Sequence, residues 1–177
     1  SYIIFTLNFM VQCLWETISS IEAIKQFDDL IPEDLIRIKS PPMASLYEGY
    51  YGLKYHALIR FGKWQEIIDL NIPHDPDLYL VTTAICRYAK ALAHAALGDV
   101  PSAIKEQKLF KDSVKKVPDD RVMFNNKCVD LLKIADEMLN GEIEYRKNNF
   151  KTAFEYLNKA ISNEDTLPYD EPWGWMQ

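Results

Sequence analysis

One segment, residues 140–161, constrains the fold of this chain more than any other. Its sequence is NGEIEYRKNNFKTAFEYLNKAI. The pattern predicts two short helices that fold back on each other around an Asn-Asn turn, with Gly141 early in the first helix. Ala153 and Ala160 share one face of the second helix, where small residues let two helices approach closely. Two aromatic residues beside the turn are expected to fill the remaining space: Tyr145 and Phe150.

A helix pair of this kind cannot bury its apolar face alone, so it implies neighbours of the same kind. The order of turn, large apolar residue and then a small or aliphatic residue does recur in the chain. Its further copies are Gly98-Asp99-Val100 followed by Ala103, Gly62-Lys63-Trp64 followed by Ile67, and a worn copy, Ile18-Ser19-Ser20 followed by Ala23.

These copies resemble the tetratricopeptide repeat family, whose unit is a pair of antiparallel helices. The resemblance is close over residues 140–161, fair over 87–104 and weak over 51–68 and 7–24. The residues at the first turn depart from the family pattern, as does the large Tyr55. Against the family period of ~34 residues the spacing is irregular, which indicates insertions between pairs. The resemblance implies a right-handed superhelical solenoid.

The hydrophobic spacing predicts an all-α chain, since no alternation of useful length suggests a strand. We expect a single array of about four irregular helix pairs and read the chain as a fragment of a longer array. The pairs are placed at residues 3–30, 43–70, 77–116 and 127–162, with the start of a further helix at 172–177.

Particular residues mark the ends of these helices. Gly62 is expected to end the helix over 43–61, Asp77 to cap the next long helix, and Pro101 to occupy a first turn. Gly49 and Gly52 fall inside a helical pattern that also carries a stripe of tyrosines, and we expect them to allow close helix approach. Residues 118–126 are expected to be irregular.

Composition narrows the function classes. A net charge of −6 argues against general nucleic-acid binding. The lysines at 105, 108, 111, 115 and 116 are expected to form a solvated helix face. The apolar run over 2–15 is too short to span a membrane and lacks the marks of a signal peptide. The three dispersed cysteines, with no Cys-x-x-Cys arrangement, predict a reducing, cytoplasmic location.

The sequence offers little for catalysis. None of its three histidines has another histidine three or four residues away, so no helical metal pair is expected, and no phosphate loop or nucleophile elbow is present. We therefore predict no enzyme activity, no metal and no cofactor. A Cys86–His56 nucleophile pair in a stand-alone hydrolase stays open as a minor alternative.

The resemblance implies a scaffold that binds a partner protein or peptide in a concave groove formed by the first helix of each pair. The alternative is a helical regulatory or substrate-positioning segment of a larger enzyme. Each groove candidate could instead pack between repeats or be a solvated side chain. Those candidates are His56, Arg60, Tyr88, Leu92, Glu142 and Arg146.

The segment after the last complete pair is rich in large apolar residues beside two prolines. It covers the end of the last repeat, belongs to the next repeat, or forms a contact patch for a partner. The residues of this possible patch are Tyr169, Trp173 and Trp175. The partner's identity and the oligomeric state stay open.

Overall fold

The computed structural model describes residues 48, 49, 51–123 and 125–168. Several predictions concern residues outside this part of the chain. They are the helix pair at 3–30, the helix start at 172–177, Cys13, and the patch of Tyr169, Trp173 and Trp175.

The described part of the chain is mostly helical, and its helices pack as antiparallel pairs. The helices are α1 (Leu53–Arg60), α2 (Trp64–Asp69), α3 (Leu80–Ala96), α4 (Val100–Val114), α5 (Cys128–Arg146) and α6 (Phe150–Glu164). Two two-residue strands, β1 (Val122–Met123) and β2 (Asn126–Lys127), form a short antiparallel ladder. None of the described helices is both long and apolar enough to cross a membrane.

The predicted pairs at 77–116 and 127–162 correspond to α3–α4 and α5–α6. The pair at 43–70 needs correction within its described part, because the expected long helix is interrupted by a turn at Gly52 before α1 begins. The all-α prediction also needs an amendment: the segment expected to be irregular holds the β1–β2 ladder, which is too short to leave an alternating pattern in the sequence.

The three hairpin turns share one backbone geometry. Gly62, Gly98 and Asn148 each follow a first helix in the left-handed conformation, with φ of 62°, 85° and 64°. At each turn this residue and the next donate backbone N–H bonds to the third and fifth residues before them, and all these bonds are 2.9 Å long. This double hydrogen bond is the Schellman motif, so Gly62 ends α1 as expected.

The residue five positions after each left-handed residue is fully buried: Ile67, Ala103 and Ala153 are each 0% exposed. Helices α5 and α6 approach closely at Gly141, where a Cβ atom would lie 3.2 Å from the carbonyl oxygen of Ala153. The prediction that small residues permit this approach is therefore confirmed.

The aromatic pair beside the last turn behaves differently from the expectation. The rings of Tyr145 and Phe150 do contact each other edge to face, with centroids 5.1 Å apart. Yet the two residues are 43% and 46% exposed. Ala153 and Leu157 fill the space between the two helices at Gly141. The ring pair therefore lies at the open edge of the hairpin.

Helix α3 is central to the described core. It packs against α4, its hairpin partner, and also against α1, α2 and α5, while α5 packs against α4 and α6. Consecutive helix pairs are therefore in contact. Ion pairs accompany this packing. Within the α3–α4 pair, Arg87 lies 2.9 Å from Glu106, and between consecutive pairs, Lys111 on α4 lies 3.2 Å from Asp136 on α5.

The five clustered lysines are all exposed, as expected: three lie on α4 and the other two, Lys115 and Lys116, directly follow it. A different lysine, Lys90 on α3, is half-buried and donates a hydrogen bond to the carbonyl oxygen of Ile68 near the end of α2. This contact satisfies a helix-terminal carbonyl that has no partner within its own helix.

Two of the local predictions at helix starts differ in outcome. Pro101 does lie in the first turn of α4, where Asp99 caps the helix by accepting a hydrogen bond from the Ser102 N–H at 3.2 Å. Asp77 does not cap α3. The carboxylate and carbonyl of Asp75 instead accept bonds that close a preceding turn, and α3 begins at Leu80.

Both glycines before α1 lie in close approach, but only Gly52 meets another helix as expected, since Gly49 meets strand β1. A Cβ atom on Gly49 would lie 2.8 Å from Cβ of Met123, and one on Gly52 would lie 2.5 Å from Cδ1 of Ile85. Such distances leave no room for a side chain, so these glycines bring the chain before α1 against β1 and α3.

Candidate functional site

The groove residues predicted from the sequence separate into buried and exposed groups. Arg60 is exposed near the end of α1, and Leu92 is half-buried on α3. On α5, Arg146 Nε donates to Glu142 Oε1 at 2.7 Å, so these two side chains pair with each other at the surface. These four residues therefore lie at least partly at the surface of the structure.

His56 and Tyr88 must be removed from the groove set, because both are buried. His56 is 4% exposed, and burial lowers the pKa of its imidazole to about 4. Tyr88 is 0% exposed and its ring lies 6.0 Å from that of Phe110, between α3 and α4. In both cases packing between helices, the alternative considered for every groove residue, describes the environment better.

A recess of about 520 Å³ lies where α1, the loop after α2 and the start of α3 meet. We call it the tyrosine recess. Its walls combine aromatic, aliphatic and polar side chains. They are Tyr51, Lys54, Tyr55, Leu70, Asn71, Ile72, Pro73, His74, Tyr79 and Thr82.

Tyr79 organises the aromatic wall of the tyrosine recess. It is 1% exposed, and its ring meets Tyr51 edge to face at 5.8 Å and His74 at 6.4 Å. On the neighbouring wall the ammonium group of Lys54 lies 5.7 Å from the Tyr55 ring centroid. Tyr55 and Tyr79 are buried behind this surface, so Tyr51 and His74 present its accessible rings. A concave surface with these rings and one lysine suits an apolar or aromatic group that carries a carboxylate nearby.

The segments that form this recess could be recognised in the sequence, but their contact with each other could not. The tyrosine stripe and the proline-containing loop at 71–76 were both apparent in the sequence. Their contact depends on the turn closed by Asp75 and on the approach at Gly52, which no local pattern specifies.

A second polar group, centred on Glu48, is enclosed within the protein. Its carboxylate is 0% exposed, accepts a hydrogen bond from the Thr82 N–H at 2.9 Å and lies 3.1 Å from Nη1 of Arg121. Burial raises the pKa of Glu48 to about 7, against the opposing effects of Thr82 and the Arg121 charge. Because solvent does not reach it, this group holds segments together rather than offering a site to substrate.

The described cysteines do not have the properties of nucleophiles. Cys86 and Cys128 are buried free thiols. Burial raises the pKa of Cys86, and it raises the pKa of Cys128 to about 12, with the Glu48 charge adding to the effect. An activated thiol needs the opposite shift. Across the described ranges, no group of three or more His, Cys, Asp or Glu side chains is arranged to hold a metal ion.

Comparison with known proteins gives no further assignment. No family model matches the chain, and searches of curated proteins and of solved structures likewise find no match.

Proposed function

We propose that this chain is a non-enzymatic interaction scaffold, a tetratricopeptide-like superhelix that binds a partner peptide. The tyrosine recess carries the proposal. It would accept an apolar or aromatic side chain of the partner, and Lys54 would attract a carboxylate beside that side chain. The exposed Arg60 and Arg146 and the half-buried Leu92 would contact the rest of the peptide.

The repeated hairpin supports the superhelical part of the proposal. Three turns of one geometry place three first helices in the order α1, α3 and α5, and each contacts the next. Helices held in this way are preorganised, so a peptide that binds along them orders few protein side chains. This is the physical advantage of such a surface for recognition.

The composition of the recess supports a peptide rather than a nucleic acid. The net charge of the chain is −6, and the recess offers tyrosine rings and a single lysine rather than a basic surface. Aromatic side chains supply much of the binding energy at protein interfaces, because they bury a large area with few rotatable bonds.

The test is peptide display with a blocked recess as the comparison. A randomised peptide library is selected on the wild-type chain, and enriched peptides are measured by fluorescence anisotropy against Asn71→Trp and Lys108→Trp. Asn71 is exposed and lines the recess, so an indole there obstructs it. Lys108 is exposed on α4, far along the chain, and provides the matched control.

We expect enriched peptides to combine an aromatic or large aliphatic residue with Asp or Glu. Their affinity should fall by about tenfold or more in Asn71→Trp, in the range of a lost interface hot spot, and stay unchanged in Lys108→Trp. Peptides that bind both variants equally well would place recognition outside the recess. Failure to enrich any peptide would overturn the proposed function.

A further inference from the structure

Helix α6 has an apolar face that the described structure leaves uncovered. Ala153 and Ala160 are buried against α5, but Phe154 and Ile161 on the adjoining face are 54% and 55% exposed. Phe150 extends the same row by one turn toward the N-terminus of the helix, with 46% exposure. The row therefore runs along the full length of α6, and its members are separated by four and seven residues, which is the spacing of one helix face.

The charges at the two ends of α6 are the reverse of what an isolated helix prefers. Lys151 lies in the first turn, and Glu164 and Asp165 lie at the last turn. The helix dipole favours acidic groups at the start and basic groups at the end. The acidic end also carries an internal repulsion: burial and the neighbouring Asp165 charge both raise the pKa of Glu164. A cation placed beside this end would relieve both effects.

We propose that α6 is a self-association surface, on which a second copy of this chain packs its own α6 in the antiparallel direction. A two-fold axis between Leu157 and Asn158 would set Phe154 level with Ile161 of the second copy. Lys151 and Asp165 lie on the same side of the row, so the same axis would bring Lys151 beside Asp165 of the second copy. The apolar row is then covered from Phe154 to Ile161, while Phe150 lies level with Asp165 of the second copy, and each basic end meets an acidic end.

This charge arrangement selects a second copy over other occupants. Two ion pairs form by symmetry from one lysine and one acidic end, and antiparallel helix dipoles attract. One face of a single helix is smaller than the ~800 Å² that each partner contributes to a standard interface, so the dimer is expected to be weak and concentration-dependent.

The first experiment measures the mass of the 177-residue chain by sedimentation equilibrium over a range of concentrations. The wild type is expected to pass from monomer to dimer as concentration rises. Phe154→Gln should weaken dimerisation by about tenfold or more, since it removes a buried aromatic contact. Leu97→Gln, at a residue that is also 55% exposed but lies at the end of α3, should leave dimerisation unchanged.

The second experiment exchanges the charges. Lys151→Glu and Asp165→Lys each place like charges opposite each other in the dimer and should weaken it, while the double variant should restore it. Both substitutions suit the dipole of α6, so neither is expected to destabilise the monomer. Loss of dimer in the single variants therefore cannot be attributed to unfolding, which thermal denaturation checks.

The third experiment fixes the position of the axis. Asn158 is exposed, and Asn158→Cys would bring two thiols close to the two-fold axis. Mild oxidation should then give a covalent dimer at a yield well above that of the wild type. A chain that stays monomeric up to about millimolar concentration, or a dimer that Phe154→Gln and the charge variants leave unchanged, would overturn the proposal. If the wild type is a monomer and Phe154→Gln lowers its melting temperature, the face is covered by another segment of the same chain, and the proposal is also overturned.

Discussion

Gly141 on α5 and Leu157 on α6 lie so close that a Cβ atom on Gly141 would be 2.8 Å from Cδ2 of Leu157. Real Cβ atoms do not reach this distance without movement of a neighbour. Gly141→Ala is therefore expected to destabilise the chain by about 1–3 kcal/mol, although alanine favours helices more than glycine does. Chemical denaturation measures the loss. Leu157→Ala in the same chain should recover part of it, and strictly additive effects of the two substitutions would contradict the contact.

Ala153 offers a second test of the same interface. It is 0% exposed, so Ala153→Leu should overpack the α5–α6 pair and cost on the order of 1–3 kcal/mol. Thr152→Leu, at the preceding exposed position, is the matched control and should change stability by less than about 0.5 kcal/mol. Equal denaturation midpoints for the two variants would contradict the packing described for α6.

The shared turn geometry predicts a hierarchy of substitutions at Gly98. Its φ of 85° is unfavourable for residues with a Cβ atom, so Gly98→Ala should cost about 1 kcal/mol. Gly98→Asn should cost less, because Asn148 adopts the same conformation with φ of 64°. Since nothing lies within 4 Å of the added Cβ, the difference isolates backbone strain. Thermal melts of the two variants provide the comparison, and equal losses would argue against it.

The raised pKa of Glu48 predicts that the stability of the folded chain falls as pH rises. Its pKa is about 7 in the folded chain and 4.5 ordinarily, so the folded state binds more protons between these values. Stability is therefore lost as pH rises from about 4.5 through about 7. The measurement is the free energy of unfolding across this range. Glu48→Gln should flatten the slope; an unchanged slope would remove Glu48 as its source.

The lowered pKa of His56 predicts the opposite dependence of stability on pH. Its pKa is about 4 in the folded chain and 6.5 ordinarily, so the unfolded state binds more protons between these values. Stability is lost as pH falls from 6.5 through about 4, and His56→Gln should reduce this acid sensitivity. The two variants should thus move the pH of maximum stability in opposite directions: Glu48→Gln upward and His56→Gln downward. A shift in the same direction would contradict the assignment of either group.

The exposed arginines of the proposed groove allow a test of binding that spares the fold. The double variant Arg60→Glu and Arg146→Glu should be less stable by only about 1 kcal/mol. Each substitution removes a basic residue from the last turn of α1 or α5, and Arg146→Glu also removes the ion pair with Glu142. Peptides selected on the wild type should bind this double variant more weakly. Unchanged affinity, measured by anisotropy, would remove both residues from the groove.

The hairpins could be predicted from the sequence because their signals are local. Each hairpin has a Gly or Asn that takes the left-handed conformation after the first helix, and such residues mark helix ends in a sequence. Five positions later comes a buried residue, Ile67, Ala103 or Ala153, which belongs to the apolar period of the second helix. The resulting pairs at 77–116 and 127–162 therefore agree with the structure to within a few residues at each end.

The site could not be predicted in the same way, because burial depends on which helices meet. His56 and Tyr88 occupy positions that the repeat pattern assigns to an open face, yet both are enclosed by neighbouring side chains. The pairing of Glu48 with Arg121 joins residues far apart in sequence, and Arg121 lies in a short segment with no recognisable pattern. Such contacts arise from the assembled layers and leave no periodic trace along the chain.

The identical hydrogen bonding of the turns at 62, 98 and 148 also bears on how this architecture tolerates change in length. Each hairpin closes through its own backbone, whatever the distance to the next one. Extra residues can therefore accumulate between α4 and the β1–β2 ladder, at the exposed residues 118–120, with little entropic cost to the pairs on either side. Variation in chain length should concentrate at that junction, while the hairpins themselves keep a constant number of residues.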